Sequence, residues 1–190
     1  MPKQSLNFTP IQLFNMEINP LQYPIGRFSA PEVITPAIRE EWIATLKEFP
    51  AKLEALASQL NENQLETTYR EGSWTGRQVI HHLFDSHIHC YVRIKAALTE
   101  GENPTIKDYD ENAYALLADG SSAPIELSIM GLKALHARWV YLLNSLEEAD
   151  WSKTYLHPTR GITYPLDRVI GIYAWHSMHH LAHLEIIRAK

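Results

Sequence analysis

The sequence predicts an all-α four-helix bundle, with an extended N-terminal arm and a small hairpin or ordered loop before the last helix. Three observations carry this: four segments whose apolar residues recur at three- and four-residue steps, polar connections between them, and 45% hydrophobic residues over 190 positions. A chain of that length and composition can bury one continuous core. Four amphipathic helices bury their apolar stripes most simply against each other.

Residues 1–35 contain Pro2, Pro10, Pro20, Pro24 and Pro31 and show no sustained period, so they read as an extended or irregular arm, partly disordered. From Pro36 the stripe Ile38, Trp42, Leu46, Phe49, Leu53, Leu56 and Leu60 predicts the first long helix, over about 36–60. Pro50 falls inside it and predicts a kink, because proline has no N–H and its ring crowds the preceding turn. A polar connection with Gly72 follows, and Ser73 is the expected cap of a second long helix over about 74–99. Residues 109–117 predict a short extra helix. Pro124, at a favoured first-turn position, opens a third long helix to about Leu146, with Ile125, Ile129, Leu132, Leu135, Trp139, Leu142 and Leu143 on its stripe. Residues 150–165, with His157-Pro158 and Gly161 between two β-prone stretches, predict the hairpin or ordered loop. The fourth long helix is expected over 166–189.

The formal charge of −5 and the lack of any Lys/Arg block argue against nucleic acid as a partner. Cys90 is the single cysteine, which rules out an intrachain disulfide and fits a reducing compartment. No stretch reads as a signal segment or a membrane span, so the expectation is a cytoplasmic protein.

The ten histidines are unevenly placed: His81, His82, His87 and His89 crowd the second long helix, and His176, His179, His180 and His183 the fourth. At about 100° per residue, His176, His180 and His183 share a stripe with Val169, Ile172 and Ile187, whereas His179 points to its flank. One inward histidine is ordinarily a hydrogen-bonded interior residue. Several on one stripe ask for more, since each imidazole needs a partner or suffers desolvation. His176 and His180 stand at i and i+4, so their nitrogens can reach one ion. His179 and His183 have the same spacing, and spacing alone does not choose between the pairs. On the second long helix, Gln78, His82, Asp85, Ser86, His89 and Arg93 form a polar stripe, which is either a solvated face or a border of the bundle interior. In the second case His82 supplies a third nitrogen, supported by Asp85 or Ser86. His81 and His87 point elsewhere and are expected at the surface.

Stronger signatures are missing. His-Ser-Met-His-His, from His176 to His180, lacks the Glu of a zinc-peptidase helix. There is no phosphate-binding glycine loop, no Gly-x-Ser-x-Gly elbow and no Cys-x-x-Cys.

Gly72-Ser-Trp-Thr-Gly-Arg-Gln-Val-Ile-His-His-Leu-Phe-Asp-Ser-His87, together with Tyr173-Ala-Trp-His-Ser-Met-His-His-Leu-Ala-His183, resembles the YfiT branch of the DinB-like superfamily, catalogued as metal-dependent hydrolases and as bacillithiol transferases. Tyr23-Pro-Ile-Gly26, Tyr91-Val-Arg-Ile-Lys95, Tyr109-Asp-Glu-Asn-Ala113 and His157-Pro158 match as well. The resemblance covers about Tyr23 to the C-terminus. It divides the chain into an arm over 1–22 and one metal-binding bundle domain over 23–190. Residues 1–15 fall outside it, which leaves Met16 as an alternative start. What it implies is a metal held by His82, His176 and His180, with zinc first and nickel second as the ion, and a homodimer.

The leading expectation is then an S-transferase in which the ion on these three histidines holds a small-molecule thiol, such as bacillithiol, as thiolate for attack on an electrophile. The alternatives are a hydrolase using metal-bound water and a non-catalytic metal- or small-molecule-binding stress protein. Hydrolysis needs a proton acceptor, for which Asp85, His179 and His183 are the candidates. No residue is assigned a catalytic role on this basis.

Overall fold

Thr35 caps the first long helix, α1 (Pro36–Ala57), through its hydroxyl, and Pro36 occupies the first turn, where a missing N–H costs nothing. The structure, a computed structural model, describes residues 19–190. The expectations for residues 1–18, including most of the arm and the start at Met16, lie outside the described residues. Residues 19–35 are turns and irregular chain without a helix or strand.

α1 ends a turn before the expected Leu60, because Asn61 opens a separate one-turn helix, α2 (Glu62–Leu65), with a reciprocal capping box to Gln64. The second long helix, α3 (Gly76–Thr99), is capped by Thr75 and not by the expected Ser73. Thr75 has Gln78 at the box position, while the Ser73 hydroxyl closes a turn onto Arg70. The short helix expected over 109–117 is α4 (Glu111–Ala115), and a further one-turn helix outside that span, α5 (Ala118–Ser121), follows it. α6 (Ile125–Leu143) is the third long helix, and a 3-10 turn (Glu148–Ser152) leads into the hairpin β1 (Thr154–His157) and β2 (Ile162–Pro165). The hairpin is antiparallel, with Thr154 opposite Pro165 and His157 opposite Ile162. α7 (Leu166–Arg188) closes the chain.

Around the bundle, α1 packs on α6 and α7, and α3 packs on the same two helices, so α1 and α3 are diagonal. Close approach of α1 to α7 depends on Gly171, where a Cβ would meet the Trp42 ring at 2.8 Å. The core falls into two apolar clusters. One joins Phe49, Leu53, Val79, Ile80, Leu83, Leu132, Leu184 and Ile187. The other joins Leu46, Cys90, Ile94, Trp139, Trp151, Tyr155, Leu166 and Ile170. α3, α6 and α7 each carry histidines at the level where the two clusters meet: His82 and His87, His136, and His176 and His180. Among the described residues, no helix is long and apolar enough to cross a membrane.

Candidate metal centre

Imidazole rings from α3 and α7 meet at the middle of the bundle because each helix places a histidine where its apolar stripe would otherwise continue. His82, on the stripe of α3 that could have been solvated, is only 5% exposed. Its Nε2 lies 3.2 Å from Nε2 of His176. His82, His176 and His180 can each offer one nitrogen such that all three lie within 4.8 Å of one another. Trp74 covers this group from outside, its ring centroid 4.4 Å from that of His82.

The three rings are held neutral. Burial pushes the His82 imidazole down to about 3, and burial together with the neighbouring imidazoles takes His176 and His180 well below the ordinary histidine value. Neutral imidazole is the ligating form. Two nitrogens bound to one tetrahedral ion at about 2.0–2.1 Å lie roughly 3.3–3.4 Å apart, close to the 3.2 Å separating His82 and His176. The donor set therefore fits a first-row divalent cation.

A second histidine group, His179, His180 and His183, also brings nitrogens within 4.8 Å. It shares His180, and both nitrogens of His183 are otherwise engaged: Nδ1 is 3.3 Å from Nδ1 of His180, and Nε2 is 3.3 Å from the Gln22 carbonyl. His179 stacks on Trp175, with centroids 4.5 Å apart.

Two expectations need correction. His81 and His87, expected at the surface, are buried, at 4% and 0% exposure. His81 bonds the Ser128 hydroxyl and the Ala123 carbonyl, tying α3 to the start of α6. His87 lies between His176 and His136, with contacts of 3.2 and 2.8 Å. Wheel geometry misses both because it sees one helix, whereas α6 covers the second side of α3. Support for His82 from Asp85 or Ser86 is likewise not found: among the described residues no hydrogen bond links either to His82. Asp85 sits beside Asp119 of α5, and burial, then that neighbour, raises its carboxyl to about 6.

Two cavities open on the histidine group. One, of about 370 Å³, is lined by His82, His176, His179, His180 and His183 together with Arg70, Glu111 and Arg160. The other, of about 400 Å³, lies between the hairpin and α3 and contains Tyr155, Tyr164, Tyr173 and Arg93. His176, Glu111, Arg160 and Trp175 belong to both walls. Sequence reasoning singles out neither Glu111 nor Arg160 as functional, since nothing in their local sequence shows that two loops distant along the chain converge on α7. Burial raises the Glu111 carboxyl, with Arg160 opposing.

Residues 45–184 match the DinB superfamily. A Bacillus mycoides relative named as a metal-dependent hydrolase is 47% identical over 90% of this chain and 96% of its own length. One from Bacillus cereus, with the same name, is 46% identical over 91% and 98%. Among solved structures, YfiT from Bacillus subtilis, described as a probable metal-dependent hydrolase with an unusual four-helix bundle topology, superposes with a TM-score of 0.86 at 40% identity, covering 89% of this chain and 96% of that one. The mycothiol-dependent maleylpyruvate isomerase shares the fold, at 20% identity and a TM-score of 0.62, over 77% of this chain and 60% of its own. With its bundle, its hairpin before the last helix and its histidine group, the chain belongs to the DinB superfamily as a metal-dependent enzyme of the YfiT type.

Proposed function

We propose that this protein is a hydrolase whose divalent cation is held by His82, His176 and His180, and that Glu111 is its proton acceptor. The observation that carries the reading is the convergence of three neutral imidazoles on a cavity that the Glu111 carboxyl also lines. When bound, zinc or a similar ion with three protein ligands lowers the pKa of a coordinated water toward neutrality. The Glu111 carboxyl, raised by its surroundings, faces the cavity as the proton acceptor in place of Asp85, one of the three expected candidates, which lines neither cavity. His183 is unsuited to that task because both its nitrogens are engaged. Arg160, on the wall shared by the two cavities, is placed to stabilise negative charge developing on a substrate oxygen. The tyrosine-lined cavity beside it provides room for the rest of a small substrate. The names of the Bacillus relatives support hydrolysis.

Thiol transfer stands second. Its support is the fold shared with a mycothiol-dependent enzyme, and the same centre would hold a small-molecule thiol as thiolate. The deciding experiment is a screen of esters, amides and lactones on zinc- or nickel-loaded protein, with and without bacillithiol. Hydrolysis is expected without thiol, and Glu111→Gln is expected to lower kcat by about 10²–10⁴-fold at unchanged metal content. Turnover only with thiol would transfer the assignment to the second reading. Full metal occupancy without either activity would make the protein a binding module.

A homodimer is also proposed. Leu127, Met130 and Tyr141 are exposed along α6, an apolar face suited to a second copy, and sedimentation equilibrium would show a monomer if it is wrong.

A further inference from the structure

A histidine ligand binds a metal only through a nitrogen that carries no proton, so something must decide which of its two nitrogens that is. Two backbone carbonyls in this structure settle the choice. Pro50 has no N–H to give to the carbonyl four residues before it, and the Leu46 oxygen is thereby left without its helical partner. Nδ1 of His136, on α6, lies 2.6 Å from that oxygen. A carbonyl can only accept, so the proton is on Nδ1 of His136, and in a neutral ring its Nε2 is then an acceptor. That Nε2 is 2.8 Å from Nδ1 of His87, which must donate. Nε2 of His87 in turn accepts from Nδ1 of His176, 3.2 Å away. The chain ends with the lone pair of His176 on Nε2, the atom that faces His82.

A second chain reaches the same place from the other side. The Gln22 carbonyl accepts from Nε2 of His183 at 3.3 Å, so Nδ1 of His183 accepts from Nδ1 of His180 at 3.3 Å. The lone pair of His180 is again left on Nε2. The ring of His183 is fixed by stacking on Tyr69, with centroids 3.8 Å apart.

We propose that the carbonyls of Leu46 and Gln22, acting through His136 and His87 on one side and His183 on the other, lock His176 and His180 as Nδ1–H tautomers with both Nε2 lone pairs directed at one ion. This rests on the reading that His82, His176 and His180 hold that ion. His87, His136 and His183 are positioning residues. Neither chain conducts protons, because each stops at a carbonyl that has no proton to pass on. The His179, His180, His183 group is accordingly not a second metal site, since the Nδ1 lone pair of His183 is taken up by the Nδ1–H of His180 and the Nε2 lone pair of His180 is directed at the first.

The test is read on the metal-free protein by ¹⁵N–¹H correlation spectra of its histidine rings, and on zinc affinity by chelator competition. Nδ1–H signals are expected for His87, His136, His176 and His180, and an Nε2–H signal for His183. His136→Phe removes the link to Leu46. It is expected to leave His87 and His176 as tautomer mixtures and to weaken zinc binding about 10–100-fold. His136→Gln, whose amide can donate to Leu46 and accept from His87, is expected to restore both. His183→Phe and His183→Gln make the same comparison at the other chain, where α1 packing is untouched, should His136→Phe fail to fold. An Nε2–H signal from His176 or His180 in the parent protein would overturn the proposal. So would undiminished zinc affinity in a folded Phe variant, or a second zinc per chain lost in His179→Ala. Absence of hydrolysis alters none of these readouts and bears only on the proposed function.

Discussion

The two halves of the core differ in what they are built from, and the histidine layer lies between them. On the side of the C-terminal end of α7, the interior is mostly aliphatic, with Leu53, Val79, Ile80, Leu83, Leu132, Leu184 and Ile187 fully or nearly excluded from solvent around the ring of Phe49. On the hairpin side the aliphatic Leu46, Ile94, Leu166 and Ile170 are joined by the larger rings of Trp139, Trp151 and Tyr155, with Tyr164 and Tyr173 at the edge. Aliphatic side chains interlock at close packing and hold the helices together. Flat rings with polar tips leave space beside them: Tyr155 and Tyr173 line the 400 Å³ cavity next to His176. The comparison teaches that the ring-bearing end adjoins the 400 Å³ cavity beside His176, with the histidine layer at the boundary between the two ends.

Neighbouring turns of α7 give the largest effects with which to break this division. His180→Ala is expected to reduce zinc affinity by more than the 10–100-fold that loss of an outer partner costs, while the metal-free protein keeps its stability. Leu184→Ala, one turn on, is expected to cost about 2–5 kcal/mol for the lost contacts and the cavity left behind, with one metal still bound per folded chain. Urea denaturation and elemental analysis of both variants measure the pair. A Leu184→Ala protein that folds but holds no metal would show that the aliphatic half is part of the centre.

Much of this division is readable from the chain. The stripe of α7 places His176 and His180 together, since i and i+4 on one helix is a local relation that sequence states directly. α3 is ambiguous on its own: His82, Ser86 and Arg93 look like a solvated stripe, yet all three are buried because they face a polar interior instead of water. His136 is invisible, being a single histidine on an apolar helix whose partners, Leu46 and His87, are set by tertiary packing. Pro50 shows how partial such reading is. Its missing N–H is plain in the sequence as a reason for a kink, but the use made of the freed carbonyl depends on α6 lying across it. Glu111 and Arg160 escape notice for the same reason, since the first turn of α4 and the turn of the hairpin are brought to the cavity only by the fold.

Acid sharpens the comparison by acting on the buried imidazoles of the layer. Burial lowers the His136 imidazole to about 4, while an unfolded histidine titrates near 6.5. Between those values the unfolded chain binds more protons than the folded one, so the stabilisation present above pH 6.5 is lost as pH falls toward 4. For His136 alone the loss is on the order of 3 kcal/mol across that window. Denaturation of metal-free protein with chelator at several pH values should show stability falling below pH 6.5, and His136→Phe should show a shallower fall. Equal slopes in the two proteins would mean that His136 is not the neutral, buried group described.

The smallest effect is expected outside the layer. Lys133 of α6 and Glu54 of α1 form a 2.5 Å ion pair over the aliphatic half, with side chains 46% and 51% exposed. Water screens such a pair and two long side chains must be ordered to make it, so its net worth is about 0–1 kcal/mol. α1 and α6 are already joined beneath it by Leu53, Leu56, Ile129 and Leu132. Lys133→Ala should therefore shift the urea midpoint barely, leave zinc affinity as it was, and show even less effect at high salt. A larger loss would mean that the aliphatic half depends on its charged rim as well as on its packing.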